Sequence, residues 1–126
     1  MKVFIVDDSA LVRERLIALI SEYPEIEITG QAENAQEAIN SIRKLKPDVV
    51  ILDIRMPGGN GIEVLRNIKK YNSAPTVIIL TNYPYPQYRK KCMEAGADYF
   101  FDKSTEFHKI IEVIKKLIQE SNAQSN

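Results

Sequence analysis

Apolar positions alternate between two regimes along the chain. Five short β-rich runs, 2–6, 25–29, 48–52, 76–80 and 98–101, are separated by longer segments in which apolar residues recur every three or four positions. Three of the runs are continuous apolar stretches, Val3 to Val6, Val49 to Leu52 and Val77 to Leu80. Strands covered by helices on both faces read this way, so these three are expected at the centre of a sheet. Glu25-Ile26-Glu27-Ile28-Thr29 instead alternates polar and apolar residues, which suits an edge strand with one wetter side.

The intervening segments read as helices with one buried face. Val12, Leu16, Leu19 and Ile20 form the first stripe; Ala35, Ala38, Ile39, Ile42 and Leu45 form the second, which Pro47 ends. Ile62, Leu65 and Ile68 form a third, ending near Tyr71-Asn72-Ser73. A fourth helix starts near Pro86, a residue tolerated in a first turn, and carries Tyr88, Cys92 and Ala95 on one side. The last is the clearest: Phe107, Ile110, Ile111, Ile114, Leu117 and Ile118 keep the helical spacing, with Ser104 or Thr105 as the cap. Strands alternating with helices predict an α/β fold, a doubly wound sandwich around a parallel sheet. Residues 1–120 are expected to form this domain and 121–126, polar apart from Ala123, a flexible tail.

Length and charge narrow the function. With 126 residues the chain suits one domain and one core. Seventeen Lys and Arg balance seventeen Asp and Glu, so no overall basic field draws in nucleic acid or an anionic membrane. No apolar run approaches the roughly 18 residues that a membrane span needs, and Asp7-Asp8 follow the first strand with no signal-peptide cleavage site. Cys92 is the only cysteine, which excludes an internal disulfide and suits a reducing, cytoplasmic compartment. Cys92 reads as a small buried thiol and His108, the only histidine, as a solvated residue.

In a doubly wound sheet, ligands sit beyond the carboxyl ends of the strands. The residues there are Asp7 and Asp8 after the first strand, Asp53 after the third, Thr81 after the fourth and Lys103 just past the fifth. Taken singly each is ordinary, because Asp and Thr cap helices and Lys is usually a solvated charge. Together they are not, since three carboxylates in one cleft repel one another unless a cation neutralises them. Oxygen ligands in this number suit Mg²⁺, or Mn²⁺ in its place, rather than zinc. A carboxylate can also be a nucleophile that forms an acyl phosphate. Asp53 stands alone at the end of a central strand and is the candidate; Asp7 and Asp8 are the metal candidates, Lys103 the positive charge and Thr81 the hydroxyl donor.

These residues resemble a known family. Ile5-Val6-Asp7-Asp8-Ser9, then Pro47-Asp48 through Asp53-Ile54-Arg55-Met56-Pro57, with Gly61, Thr81, Ala95-Gly96-Ala97-Asp98 and Lys103, are similar to the motifs of response-regulator receiver domains, particularly those that often precede a helix-turn-helix. The resemblance runs from Lys2 to about Leu117. It implies a flavodoxin-like (βα)5 sandwich with strand order 2-1-3-4-5, and an Asp53 that accepts a phosphoryl group from a sensor histidine kinase or a histidine phosphotransfer protein. It also implies Mg²⁺ held by Asp8, Asp53 and the Arg55 carbonyl, with Asp7 acting through water. Thr81 and Phe100, three residues before Lys103, would be the switch pair; Phe100 lacks the hydroxyl of the tyrosine common there, so its two positions must differ in burial.

The sequence departs from the pattern at Lys103-Ser104, where many receivers have proline and a cis peptide; the role of Lys103 carries over and the cis bond does not. Arg55 and Tyr83, each two residues past a site residue, are expected over the phosphoryl position, tuning its lifetime through water access. Leu11 and Arg15 on the first helix are candidates for kinase docking. Tyr85 and Tyr88 belong to the fourth helix–fifth strand–fifth helix face that receivers use for homodimers or downstream targets.

Three readings of function follow. The first is a stand-alone phosphorylation switch with no independent substrate, no output domain and no direct contact with nucleic acid or membrane. The second is the receiver piece of a DNA-binding regulator. The third is a Mg²⁺-dependent phosphohydrolase acting through an aspartyl phosphate. Those enzymes usually carry the nucleophile after the first strand with a second Asp two positions on, whereas Asp7 and Asp8 are adjacent. A flavin module of the same topology would meet repulsion between its phosphate and the acidic first loop.

Overall fold

A computed structural model of the chain describes residues 1–56, 59–70 and 73–125. The main sheet contains β1 (Lys2–Val6), β2 (Glu27–Ala32), β3 (Val49–Leu52), β6 (Thr76–Thr81) and β7 (Tyr99–Asp102), all parallel, in the order β2-β1-β3-β6-β7. Two short strands, β4 (Arg55–Met56) and β5 (Gly59–Asn60), form a separate antiparallel pair. The expected sandwich and its strand order are therefore present, with the three apolar runs in the centre and the alternating strand at an edge. The helices are α1 (Ala10–Ile20), α2 (Ala35–Leu45), α3 (Gly61–Ile68), α4 (Pro86–Glu94) and α5 (Lys109–Ser125).

The alternation of side chains along each strand divides the core into two halves. Phe4, Val6, Val50, Leu52, Val77 and Ile79 face α2, α3 and α4, where Ala38, Ile42, Leu65 and Cys92 meet them. Val3, Ile5, Val49, Ile51, Ile78 and Leu80 face α1 and α5, against Leu16, Ile20, Ile110 and Ile114. A central strand loses water on both sides, which is why its sequence is apolar at every position.

Element boundaries differ most from the expectations at the edge strand and the last helix, while β3, β6 and β7 each differ by one residue. The edge strand begins at Glu27 rather than Glu25, because Ile26 N–H closes a turn onto the Tyr23 carbonyl, and it runs on to Ala32. Gly30 and Gln31 are weak strand formers, so the pattern did not mark that end; a register shift opposite Val3 and Phe4 accommodates them. The last helix begins at Lys109, not at a Ser104 or Thr105 cap, because Glu106 N–H bonds back to the Asp102 carbonyl and holds 103–108 in turns. That helix continues through Ser125 into the stretch expected as a flexible tail, in keeping with the absence of Gly and Pro there, and Asn126 lies outside the described residues. The second helix ends before Pro47, where Lys46 adopts a left-handed backbone with φ 48°. Pro57, Tyr71 and Asn72 lie outside the described residues. No cis peptide occurs among the described residues, so Lys103–Ser104 is trans. No helix among them is long and apolar enough to cross a membrane.

One glycine is dictated by this packing. A Cβ on Gly61 would stand 2.0 Å from the Asp53 carbonyl oxygen, since the start of α3 lies directly against the end of β3. Gly61→Ala must push α3 away from the strand. The expected loss of stability is at or above the roughly 3 kcal/mol upper end for overpacking; urea unfolding within about 0.5 kcal/mol of wild type, the range of neutral surface changes, would contradict this contact.

Candidate functional site at the carboxyl ends of the strands

Backbone pairing continues one residue past the ends of three strands and so places the site. Asp7 N–H donates to the Ala32 carbonyl (3.1 Å), Asp53 N–H to the Val6 carbonyl (3.0 Å) and Lys103 N–H to the Thr81 carbonyl (2.8 Å). Each residue is therefore held in sheet register although it sits in a loop. Asp7, Asp53 and Thr81 are the buried polar residues among those described.

The Lys103 ammonium bridges two acids. Its Nζ lies 2.7 Å from Asp7 Oδ2 and 3.0 Å from Asp53 Oδ2, and its side chain is only 8% exposed. The remaining carboxylate oxygens are also oriented: Asp7 Oδ1 accepts from Ser9 N–H (2.9 Å) and Asp53 Oδ1 from Ile54 N–H (2.7 Å). Burial pushes the Asp7 carboxyl above the usual carboxylate range, more than the Lys103 and Ser9 hydrogen bonds pull it down, and the Asp53 charge adds to the rise. Burial alone would lower the Lys103 ammonium, but its hydrogen bond to Asp7 and the charges of both acids hold it above its ordinary value.

Asp8 is exposed and has no ion pair or hydrogen bond among the described residues, yet Asp7, Asp8 and Asp53 each bring one carboxylate oxygen within 4.8 Å of the others. Three acids thus face one ammonium. All-oxygen donors with excess negative charge fit a hard divalent cation such as Mg²⁺, and Asp8 is available to it without first breaking a protein contact.

The expected rim residues largely converge. Asp8, Ser9, Asp53, Arg55, Asn82, Tyr83 and Lys103 line one open cleft. Thr81 Oγ1 accepts from Tyr83 N–H at 3.0 Å, which leaves its hydroxyl hydrogen free to donate elsewhere. The Arg55 guanidinium stacks 4.3 Å from the centre of the Tyr83 ring and lies 3.4 Å from the Tyr88 hydroxyl. Phe100 does not line the cleft: it is 5% exposed in the half-core that contains Cys92 and Ala97, with Arg89 at 5.5 Å from its ring centre. Leu11, 68% exposed, and Arg15 lie on α1, where Arg15 stacks 4.3 Å over Phe107. Tyr85 is exposed, whereas Tyr88 is half-buried against the core. Cys92 is fully buried, and burial pushes its thiol up to about 11.

Two contributors were missed in the sequence. Arg13 donates to the Asp7 carbonyl (2.6 Å) and to Gln31 Oε1 (2.7 Å), bracing the acidic loop against β2. The β4–β5 pair carries Arg55 beside the cleft, with Asn60 capping α3 through Glu63 N–H. Asn60-Gly61 ahead of the third helical stripe was a usable cap signal; Arg13 had none, because one partner is a backbone carbonyl and the other, Gln31, is 18 positions away.

Removing the bridging cation isolates buried charge. Lys103→Met is expected to lower stability in metal-free buffer by about 3–5 kcal/mol, the usual consequence of leaving a buried ion pair half unpaired. Urea unfolding with and without Mg²⁺ tests this, and a loss below about 1 kcal/mol, as at a surface pair, would show that the bridge contributes little.

Comparison with known proteins agrees with this geometry. The sequence matches the profile of the response regulator receiver domain over residues 3–115. It is 39% identical over 120 residues to protein-glutamate methylesterase/protein-glutamine glutaminase 1 of Carboxydothermus hydrogenoformans, a match covering 94% of this chain and 35% of that protein. The chain therefore spans about a third of the length of that curated relative. The structure resembles the response regulator domain of Thermotoga maritima CheB with a TM-score of 0.83 and 32% identity, covering 97% of this chain and 96% of that one. It also resembles a chain in the CheX–CheY–BeF3–Mg complex of Borrelia burgdorferi, with a TM-score of 0.78 and 28% identity over 90% of this chain and 89% of that one.

Proposed function

This chain belongs to the response regulator receiver domain family, and on that footing we propose that it takes a phosphoryl group onto Asp53 and thereby switches a protein-binding surface. The observation that carries the reading is the buried Asp53 carboxylate with Lys103 Nζ 3.0 Å from one oxygen, beside two further acids within carboxylate reach. The related chain in the complex solved with BeF3 and Mg supports the same chemistry by analogy.

In the proposed reaction an Asp53 carboxylate oxygen attacks phosphorus of a phosphohistidine. A P–O bond forms, the P–N bond breaks, and the imidazole leaves with the electron pair. Asp7, Asp8 and Asp53, with the Arg55 carbonyl, are the donor set for Mg²⁺ or Mn²⁺, which when bound neutralises negative charge on the phosphoryl oxygens. Lys103 exchanges its carboxylate partner for a phosphoryl oxygen as a charge-assisted donor. Hydrolysis later returns the free carboxylate when water attacks phosphorus. The chain then acts on no substrate besides its own aspartyl phosphate.

Switching would begin at Thr81. A phosphoryl group adds negative charge and three acceptor oxygens, and drawing the Thr81 hydroxyl towards them releases Tyr83 N–H and the loop that leads into α4. Phe100 pairs in register with Ile79 on the strand that carries Thr81, so repacking there would change the burial of Phe100. The partners proposed are a histidine kinase or histidine phosphotransfer protein at Leu11 and Arg15, and a downstream protein or second copy at Tyr85 and Tyr88. A cytoplasmic location suits both. The one-third coverage of the methylesterase supports a parallel reading of the chain as the receiver module of a longer regulator.

Intact mass spectrometry after incubation with a small-molecule phosphodonor and Mg²⁺ tests the reading. One phosphoryl adduct is expected in wild type, and none in Asp53→Asn or after chelation; an adduct that survives in Asp53→Asn would move the acceptor elsewhere. Once phosphorylated protein is in hand, Arg55→Ala and Tyr83→Ala should each speed dephosphorylation by about two- to fivefold. That is the factor expected if their stacking, about 0.5–1 kcal/mol for an exposed pair, shields the phosphoryl group from water. Unchanged decay rates would remove them from the site.

A further inference from the structure

Lys103 must reach across the cleft to two acids, yet it lies at the point where the chain leaves the sheet. Its own N–H is fixed to Thr81, but the following peptide is an ordinary trans bond to serine. What holds the turn is a ring of hydrogen bonds between the residues on either side of Lys103. Asp102 N–H donates to Glu106 Oε1 (3.0 Å), and Glu106 N–H returns to the Asp102 carbonyl (2.8 Å). Asp102 Oδ1 accepts from Ser104 N–H at 2.8 Å, an Asx turn around Lys103 itself. The other oxygen of Glu106 binds Lys109 Nζ (2.8 Å), and Lys109 N–H binds the Glu106 carbonyl (2.9 Å), which ties the ring to the first residue of α5.

We propose that Glu106 is a positioning residue: it closes the backbone ring that aims Lys103 at Asp7 and Asp53. This rests on the reading of Asp53 as phosphoacceptor. Glu106 touches none of the reacting groups and acts through the backbone of Asp102. Its carboxyl is held below the ordinary range by the Lys109 hydrogen bond first and the Asp102 N–H second.

Mg²⁺ affinity distinguishes positioning from general support. A loosened Lys103 gives up competition for Asp7 and Asp53, so Mg²⁺ affinity should not weaken, whereas phosphorylation should slow. Glu106→Ala is expected to reduce the phosphorylation rate at saturating Mg²⁺ and small phosphodonor by about tenfold, a modest share of what misplacing a reacting group costs. Its Mg²⁺ affinity by calorimetry should equal or exceed that of wild type. Glu106→Gln, which keeps an oxygen for Asp102 N–H, should recover a rate within about twofold of wild type, on the ground that the bond and not the charge sets the turn.

A second measurement does not depend on phosphorylation. If Glu106 acts on Lys103, the urea midpoint shift of the Glu106→Ala, Lys103→Met double variant is smaller than the sum of the two single shifts. Additive shifts, or a rate and a Mg²⁺ affinity that fall together without recovery in Glu106→Gln, overturn the proposal. A wild-type protein that accepts no phosphoryl group would instead overturn the phosphoacceptor reading, and the midpoint comparison would still decide whether Glu106 positions Lys103.

Discussion

The shared ammonium of Lys103 is the interaction on which the site depends. Asp7 and Asp53 lie on adjacent strands and are both almost fully buried. Two carboxylates so placed repel each other at close range, and only an opposite charge between them makes the arrangement tolerable. Lys103 supplies it from the far edge strand, with β6 lying between that strand and the one that leads to Asp53. The order β2-β1-β3-β6-β7 therefore brings together groups that are 96 and 50 positions apart in the chain.

Holding those groups in place is mainly work for the backbone. Sheet pairing extends past the strand ends to Asp7, Asp53 and Lys103, so the site is an extension of the sheet rather than a set of independent loops. Each approach is then fastened locally. Ser9 caps α1 while its N–H orients Asp7, Arg13 ties the same loop to Gln31, Gly61 lets α3 touch the Asp53 carbonyl, and Asp102 with Glu106 closes the turn after β7. The buried polar groups of the site already have partners, whereas Asp8, alone of the three acids, has none among the described residues.

The two half-cores give the site two exits. Thr81 belongs to the strand packed on both halves, and its hydroxyl oxygen holds the first turn of the loop that leads to α4 through Tyr83. Arg55, Tyr83 and Tyr88 then link the small hairpin to α4 across the mouth of the cleft. On the other face, Arg15 of α1 stacks on Phe107 in the turn that follows Lys103. Contacts beside the site therefore lead to helices on both faces of the sheet.

The architecture was readable in the chain, and so was the gathering of Asp7, Asp8, Asp53, Thr81 and Lys103 at the ends of the strands. Buried parallel strands must be apolar at every position, and a doubly wound sheet must gather its strand-end residues on one rim; both constraints leave marks in local sequence. Where local pattern was ambiguous, the tertiary structure decided. Gly30 and Gln31 joined the edge strand because β1 supplied the hydrogen bonds that their own propensities did not favour, and the last helix started at Lys109 because Glu106 had a partner in Asp102. Arg13 entered the site through a backbone carbonyl, and Phe100 took a core position under α4. Residue type and spacing along one chain determine which groups can carry the chemistry. Which of them share a charge, cap a turn or face solvent depends on partners distant in sequence, and only folding selects those partners.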